Sequence, residues 1–189
     1  MAGSNKLVRG FWPVVGSGGS TTPKVREYHV ADATTNSIGQ GHPVILEATG
    51  TVTRLATIAG SSLFVGVAAH FVSRSGTGRT VAVYDDPRQL FEVQLDDNSA
   101  TNRAAIVGLN FRAVSANTYN STTHQSMILL DGSLGAATSS TLGLSFFKAI
   151  ALSRNVDKDE TGASVSYIGV IGQFNPETHV WAKDSSVGV

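Results

Sequence analysis

The sequence predicts an all-β protein of small antiparallel β-barrel or sandwich modules, led by an extended N-terminal arm. Three observations in the stretch His42–Asp97 carry this. Short apolar runs (VIL, TVTRLA, LFVGVAAHFV, VAVY, LFEVQL) are interrupted by Gly, Ser, Thr, Asp or Pro, at the spacing of about eight to twelve residues expected of hairpin-linked strands. None of the interruptions is long enough for the helix that a parallel crossover needs. Within the runs the period is close to two: Val81 and Val83 alternate with Thr80, Ala82 and Tyr84, and Phe91, Val93 and Leu95 alternate with Glu92 and Gln94.

Taken in order, residues 1–41 read as an arm and linker. Leu7–Val15 (LVRGFWPVV) is apolar and aromatic, but Gly10 and Pro13 argue against a helix or a central strand. GSGGSTTP follows, a Gly/Ser segment of the kind that links an anchor to a body. Leu7, Val8, Phe11, Trp12 and Val14 must bury their apolar surface either on their own domain or on a neighbouring subunit, with Phe11 and Trp12 as natural anchors. In the second case, loss of residues 1–20 would leave the body folded. Lys24–Val30 (KVREYHV) alternates and reads as one short strand.

Residues 42–97 form a β-barrel-like module in which Gly66 marks a bulge or tight bend inside a strand. Gly76 and Gly78 serve a turn that needs positive φ. Residues 98–189 form a second β-rich module, with one continuous domain as the alternative. There, Arg103–Val114 is a strand pair or one bent strand, and a helix across 100–116 is the competing reading, because Ala105, Ile106 and Leu109 also fall at helical spacing. Met127–Leu130 is a short buried strand ended by Asp131-Gly132. Leu134–Leu144 reads as surface. FFKAIAL (Phe146–Leu152) and VSYIGVI (Val165–Ile171) are expected to pair antiparallel across a charged loop. Asn175-Pro176 turns the chain into a last edge strand.

Composition narrows the function. Charged residues make up only 15 % of the chain and the formal net charge is zero, which removes the attraction that nucleic acid or an anionic membrane would exploit. Low charge also leaves little repulsion between copies, which suits a protein that lives in an assembly. There are no cysteines, hence no disulfide, thiolate metal site or Cys nucleophile. No apolar run approaches the roughly 20 residues of a membrane-spanning helix, and the N-terminus lacks the basic-then-apolar pattern of a signal peptide.

Catalytic patterns are missing as well. His29, His42, His70, His124 and His179 are isolated in sequence, so a metal site would have to be assembled wholly by the fold. His70 is expected to be a hydrogen-bonded barrel residue. Gly76-Thr77-Gly78-Arg79-Thr80 lacks the lysine of a phosphate-binding loop, and no GxSxG elbow occurs. Asp85-Asp86, Asp96-Asp97 and Asp157–Glu160 read as solvated turn carboxylates. No catalytic, cofactor-binding or metal-binding residue is predicted, and the expectation is a non-enzyme without cofactors.

Two places carry a family resemblance. The run SIGQGHPVILEATGTVTRLATIAGSSLFVGVA, starting at Ser37, holds Gly41-His42-Pro43-Val44, Gly50-Thr51-Val52 and Val65-Gly66-Val67-Ala68 in succession. It resembles the opening barrel of head decoration, or capsid cement, proteins of tailed bacteriophages. Phe147–Asn175 (FKAIALSRNVDKDETGASVSYIGVIGQFN) is similar to the closing hairpin of many phage virion proteins: a strand, an acidic Gly-bearing turn, and a final strand running into Asn. Together they cover under half of the chain. The resemblance implies a structural protein made in the host cytoplasm, which sits on the outer capsid surface of the virion. It would be a homotrimer bridging major capsid protein subunits, with Leu7, Val8, Phe11, Trp12 and Val14 as contact residues. Neither nucleic acid nor membrane would be a partner. The alternatives are another phage β protein of the tail, baseplate or fibre, and a carbohydrate-binding β-sandwich, whose mark would be surface aromatics beside a groove.

Overall fold

Alternating and doubly buried apolar runs fold here into two antiparallel sheets. The computed structural model describes residues 10–14, 23–32, 37–55, 63–96, 106–114, 119–132, 146–153 and 168–181. The strands are β1 (Trp12–Pro13), β2 (Arg26–His29), β3 (Pro43–Leu46), β4 (Val52–Arg54), β5 (Phe64–Ala68), β6 (Thr80–Tyr84), β7 (Phe91–Gln94), β8 (Asn110–Phe111), β9 (Ala113–Val114), β10 (Leu129–Leu130), β11 (Phe147–Leu152) and β12 (Gly169–Phe174), followed by a 3-10 turn at Pro176–Thr178. Sheet I has the order β1-β7-β12-β11-β8 and sheet II the order β2-β6-β5-β3-β4, with β10-β9 as a separate pair. This is the all-β architecture expected, and it fits a β-sandwich.

Each sheet also curls toward itself. In sheet II a parallel bridge between Val30 and Val52, with the Ala31 N–H donating to the Val52 carbonyl at 3.1 Å, brings the chain beyond β2 to the opposite edge strand. On the sheet I side the chain bends at Arg112 between β8 and β9, β9 pairs with β10, and a parallel bridge from Leu130 to Leu95 returns to the end of β7. Where the chain returns along an edge in this way, it covers backbone groups otherwise open to unintended pairing.

Strand β5 is the wall between two cores, and all five of its residues are buried. Phe64 and Val67 pack in the larger core with Phe11, Leu55, Phe91, Phe111, Phe146, Phe147 and Phe174. Val65 and Ala68 pack in the smaller core with Val30, Ile38, Val44, Val52, Val72, Val81 and Val83. A regular strand would put residues 64 and 67 on opposite faces. The register explains the exception: Val44 faces Gly66 but Ile45 faces Phe64, so Val65 is an extra residue that shifts the face by one. A Cβ on Gly66 would collide with the Tyr84 carbonyl of β6, so the bend predicted at this glycine is a close backbone approach. Gly76 and Gly78, the predicted turn glycines, have φ of 110° and 64°.

Several expectations require correction. The predicted boundaries 1–41, 42–97 and 98–189 do not follow the sheets. Strand β2 belongs to sheet II, and β7 leaves its predicted module to pair with β12 and β1 in sheet I. A tight Asp86–Gln89 turn, whose Gln89 N–H bonds the Asp86 carbonyl at 3.0 Å, carries the chain from one sheet to the other. Phe11 is not an anchor for a neighbour: it is fully buried, with Phe91, Phe146, Phe147 and Phe174 ring centroids 5.2–6.4 Å away. Deleting residues 1–20 would therefore remove part of the core together with β1.

Residues 106–114 form a 3-10 turn and two short strands rather than a helix, because Phe111 and Ile106 reach the larger core from a bent extended chain. Met127 is exposed while Ile128 is buried. The final edge strand is reduced to one bridge, His179 to Phe64, since Pro176 first turns the chain. FFKAIAL pairs with the chain around Ile171 as expected, through β11 and β12. Leu134–Leu144, expected at the surface, and residues 154–167, with the expected turn carboxylates Asp157–Glu160, lie outside the described residues.

Two substitutions probe this core. Phe11→Ala should destabilise the protein by about 3–5 kcal/mol, as truncation of a buried phenylalanine does. Gly66→Ala should cost at least about 2 kcal/mol through overpacking against β6. Urea melts read both as lowered midpoints; an unchanged midpoint for Phe11→Ala would mean that the arm lies outside the core.

Candidate functional site

The part of the described surface that gathers exposed aromatic, apolar and charged groups lies where three distant segments meet. The chain entering sheet II brings Lys24, Val25 and Arg26; the turn after β6 brings Asp85, Asp86 and Pro87; and the chain after the 3-10 turn brings Trp181. They line an open cleft of about 450 Å³. Trp181 is 53 % and Val25 52 % exposed, unusual for an indole and an isopropyl group beside one another.

Local chemistry fixes the indole. The Trp181 Nε1–H donates to the Tyr28 hydroxyl at 3.2 Å, and that hydroxyl donates to Asp85 Oδ2 at 2.7 Å. Arg26 Nη1 lies 3.3 Å from the same carboxylate oxygen, and its guanidinium sits over the indole, 5.5 Å from the ring centroid. The contacts close a ring: Trp181, Tyr28, Asp85, Arg26, Trp181. The Trp181 backbone N–H also donates to His179 Nδ1 at 3.2 Å. Burial, reinforced by the bond to Asp85, raises the Tyr28 pKa. Asp85 was expected to be a solvated turn carboxylate; it is buried because β2 and β6 are neighbours and Tyr28 and Arg26 reach it from the adjacent strand.

His179 is fully buried beneath this cleft. Desolvation lowers its pKa to about 4, against the smaller opposing influence of Asp85, Asp86 and a backbone hydrogen bond at Val65. The other histidines do not join it. His42 is buried and its Nδ1 accepts the Gly39 N–H at 2.7 Å. His70 is exposed in the bend after β5 instead of bonded within a barrel, because β5 ends at Ala68. His124, at φ 58°, stacks on Phe71 with centroids 4.2 Å apart. Among the described residues no three His, Asp or Glu side chains converge as metal ligands.

The predicted contact residues are placed as follows. Phe11 is in the core; Trp12 and Val14 are half-buried along the edge of sheet I, where the Val14 N–H bonds the Leu90 carbonyl at 2.8 Å. Leu7 and Val8 lie outside the described residues. Phe11, Trp12 and Val14 do not line the cleft. Sequence reasoning missed Tyr28, Asp85 and Trp181, since no spacing relates residues so far apart. The single local hint was the Asp-Asp-Pro turn. No family model matches the chain, and comparisons with curated proteins and with solved structures find no significant match.

The buried imidazole has a measurable consequence. Between pH 6.5 and about 4 the unfolded chain takes up a proton that folded His179 refuses, so stability falls as the pH falls through that window. Above it both states are neutral and the effect vanishes. The full difference amounts to about 3 kcal/mol. Urea melts at neutral and acid pH should show this loss, and His179→Gln should remove most of it; an equal pH dependence in both proteins would count against the assignment.

Proposed function

We propose that the chain is a structural virion protein that decorates and stabilises the outer surface of a tailed-bacteriophage capsid by bridging major capsid protein subunits as a homotrimer. One observation carries the reading. The segments that resemble capsid cement proteins occupy consecutive, paired strands. Pro43-Val44 opens β3, Gly50 sits in the turn before β4, and Val65-Gly66-Val67-Ala68 makes up most of β5, all in sheet II. The second segment supplies the pair β11–β12, and Asn175 follows β12 directly. Neutral charge and a body in which both β5 faces are packed suit a rigid element repeated on a lattice.

In this reading attachment rests on the surface beside β1, where Trp12 and Val14 are half-buried, and on Leu7 and Val8 ahead of it. Phe11 has a separate role, holding that surface to the core. Deleting only residues 1–9 separates attachment from folding, because it spares Phe11. The truncated protein should keep its melting midpoint and lose occupancy on stripped capsids by about tenfold or more, as removal of interface anchors does. Light scattering of the full chain should give the mass of a trimer. A strictly monomeric protein with no capsid occupancy would end this reading, and binding confined to purified tails would move the protein to another part of the virion.

A further inference from the structure

The cleft between β2, the Asp85–Pro87 turn and Trp181 does not belong to the surface beside β1 and asks for a ligand of its own. We infer that it is a saccharide-binding site that stacks one neutral pyranose ring of a polysaccharide on the Trp181 indole. This goes beyond the capsid reading and does not rest on it.

The first reason is preorganisation. An exposed tryptophan serving only as surface cover gains nothing from being fixed. Here the indole N–H is bonded to Tyr28, the backbone N–H to His179, and one face is covered by Arg26. Arg26 and Tyr28 are held in turn by buried Asp85. A side chain that remains 53 % exposed while held this way loses little entropy when a ligand stacks on it, which is how rigid aromatic groups gain affinity.

Charge gives the second reason. The cleft carries Lys24 and Arg26 against Asp85 and Asp86, so the formal charges cancel. A phosphate would meet two carboxylates and a metal ion would meet two cations. An uncharged polyhydroxylated ring meets both acceptors and donors at once. Its C–H face packs on the indole and Val25, while its hydroxyls take bonds from the guanidinium and ammonium groups and give them to carboxylate oxygens. The volume, about 450 Å³, lies within the range of about 300–1,000 Å³ typical of small-ligand sites.

Asp86 is the exposed acceptor of the cleft. Its Oδ1 takes the Arg88 backbone N–H at 2.9 Å, and a carboxylate retains further lone pairs beyond such a bond. Asp86→Asn keeps an oxygen for the turn while converting the other acceptor into a donor, so it alters recognition without breaking the turn.

The test titrates the full chain with cellohexaose, laminarihexaose, mannohexaose and chitohexaose, following the Trp181 indole N–H resonance and the heat of binding. At least one should bind saturably with a Kd of roughly 0.1–10 mM, as expected for a shallow open site. Trp181→Ala should weaken that binding by about tenfold or more, and Asp86→Asn by about threefold. Because Trp181 is bonded to buried His179 and to Tyr28, Asp86→Asn with an unchanged melting midpoint guards against loss of binding through unfolding. The inference is overturned if no saccharide shifts the resonance saturably, if Trp181→Ala binds as the parent does, or if inorganic phosphate or calcium produces the shift instead. None of these results depends on capsid occupancy.

Discussion

The double burial of β5 is the constraint on which the rest of the molecule depends. Four of its five buried residues supply the two cores, and they do so only because Val65 is an extra residue in the pairing with β3. Without that bulge, Phe64 and Val67 would point to opposite faces and one of the two cores would lose a large side chain. Beside the bulge, β6 comes so close that residue 66 has no room for a side chain. One glycine therefore couples the register of β3, the position of β6 and the composition of two hydrophobic clusters.

Phenylalanine is the most frequent residue of the larger core, and its six fully buried rings come from distant parts of the chain: Phe11, Phe64, Phe91, Phe146, Phe147 and Phe174. Phe64 stacks on Phe146 at 4.5 Å and Phe11 meets Phe147 edge-on at 5.2 Å. Pairs in these geometries contribute about 0.5–1.5 kcal/mol each beyond their buried area. The cluster joins the N-terminal segment, the strand shared by the two cores and the closing hairpin, so an aromatic arm that looks detachable in sequence is part of the body. Main-chain bonds reinforce the joint: the Phe11 N–H bonds the Gly41 carbonyl at 3.0 Å and the Val180 N–H bonds the Phe64 carbonyl at 2.7 Å.

Polar groups follow the same economy. Asp85 and Asp131 are both buried, and each is met by an arginine, which offsets the cost of taking a carboxylate out of water. At Asp131 the pair with Arg112, at 2.8 Å, ties the bend between β8 and β9 to the end of β10. At Asp85 the pair with Arg26 ties sheet II to the chain that follows the 3-10 turn, through Trp181. The first has a structural consequence alone, while the second also leaves an exposed, fixed indole on the surface.

The sequence by itself determined the strand content. Alternation at Val81 and Val83 and at Phe91, Val93 and Leu95 identified β6 and β7, while Gly66 marked a bulge or bend and Gly76 and Gly78 a turn, because periodicity and glycine stereochemistry act within a few residues of chain. It also brought FFKAIAL and the chain around Ile171 together as antiparallel neighbours. Which sheet each strand joins was decided only in three dimensions: the Asp86–Gln89 turn reads the same whether it closes a hairpin or passes the chain from sheet II to sheet I. Tertiary structure alone also placed Phe11 in the core, exposed His70, buried Asp85, and joined Tyr28, Asp85 and Trp181 into one cleft. The physical reason is common to all four. Burial and side-chain pairing depend on which segments lie adjacent in space, and residues 28, 85 and 181 acquire their relation only when β2 pairs with β6 and the chain after the 3-10 turn docks on Phe64.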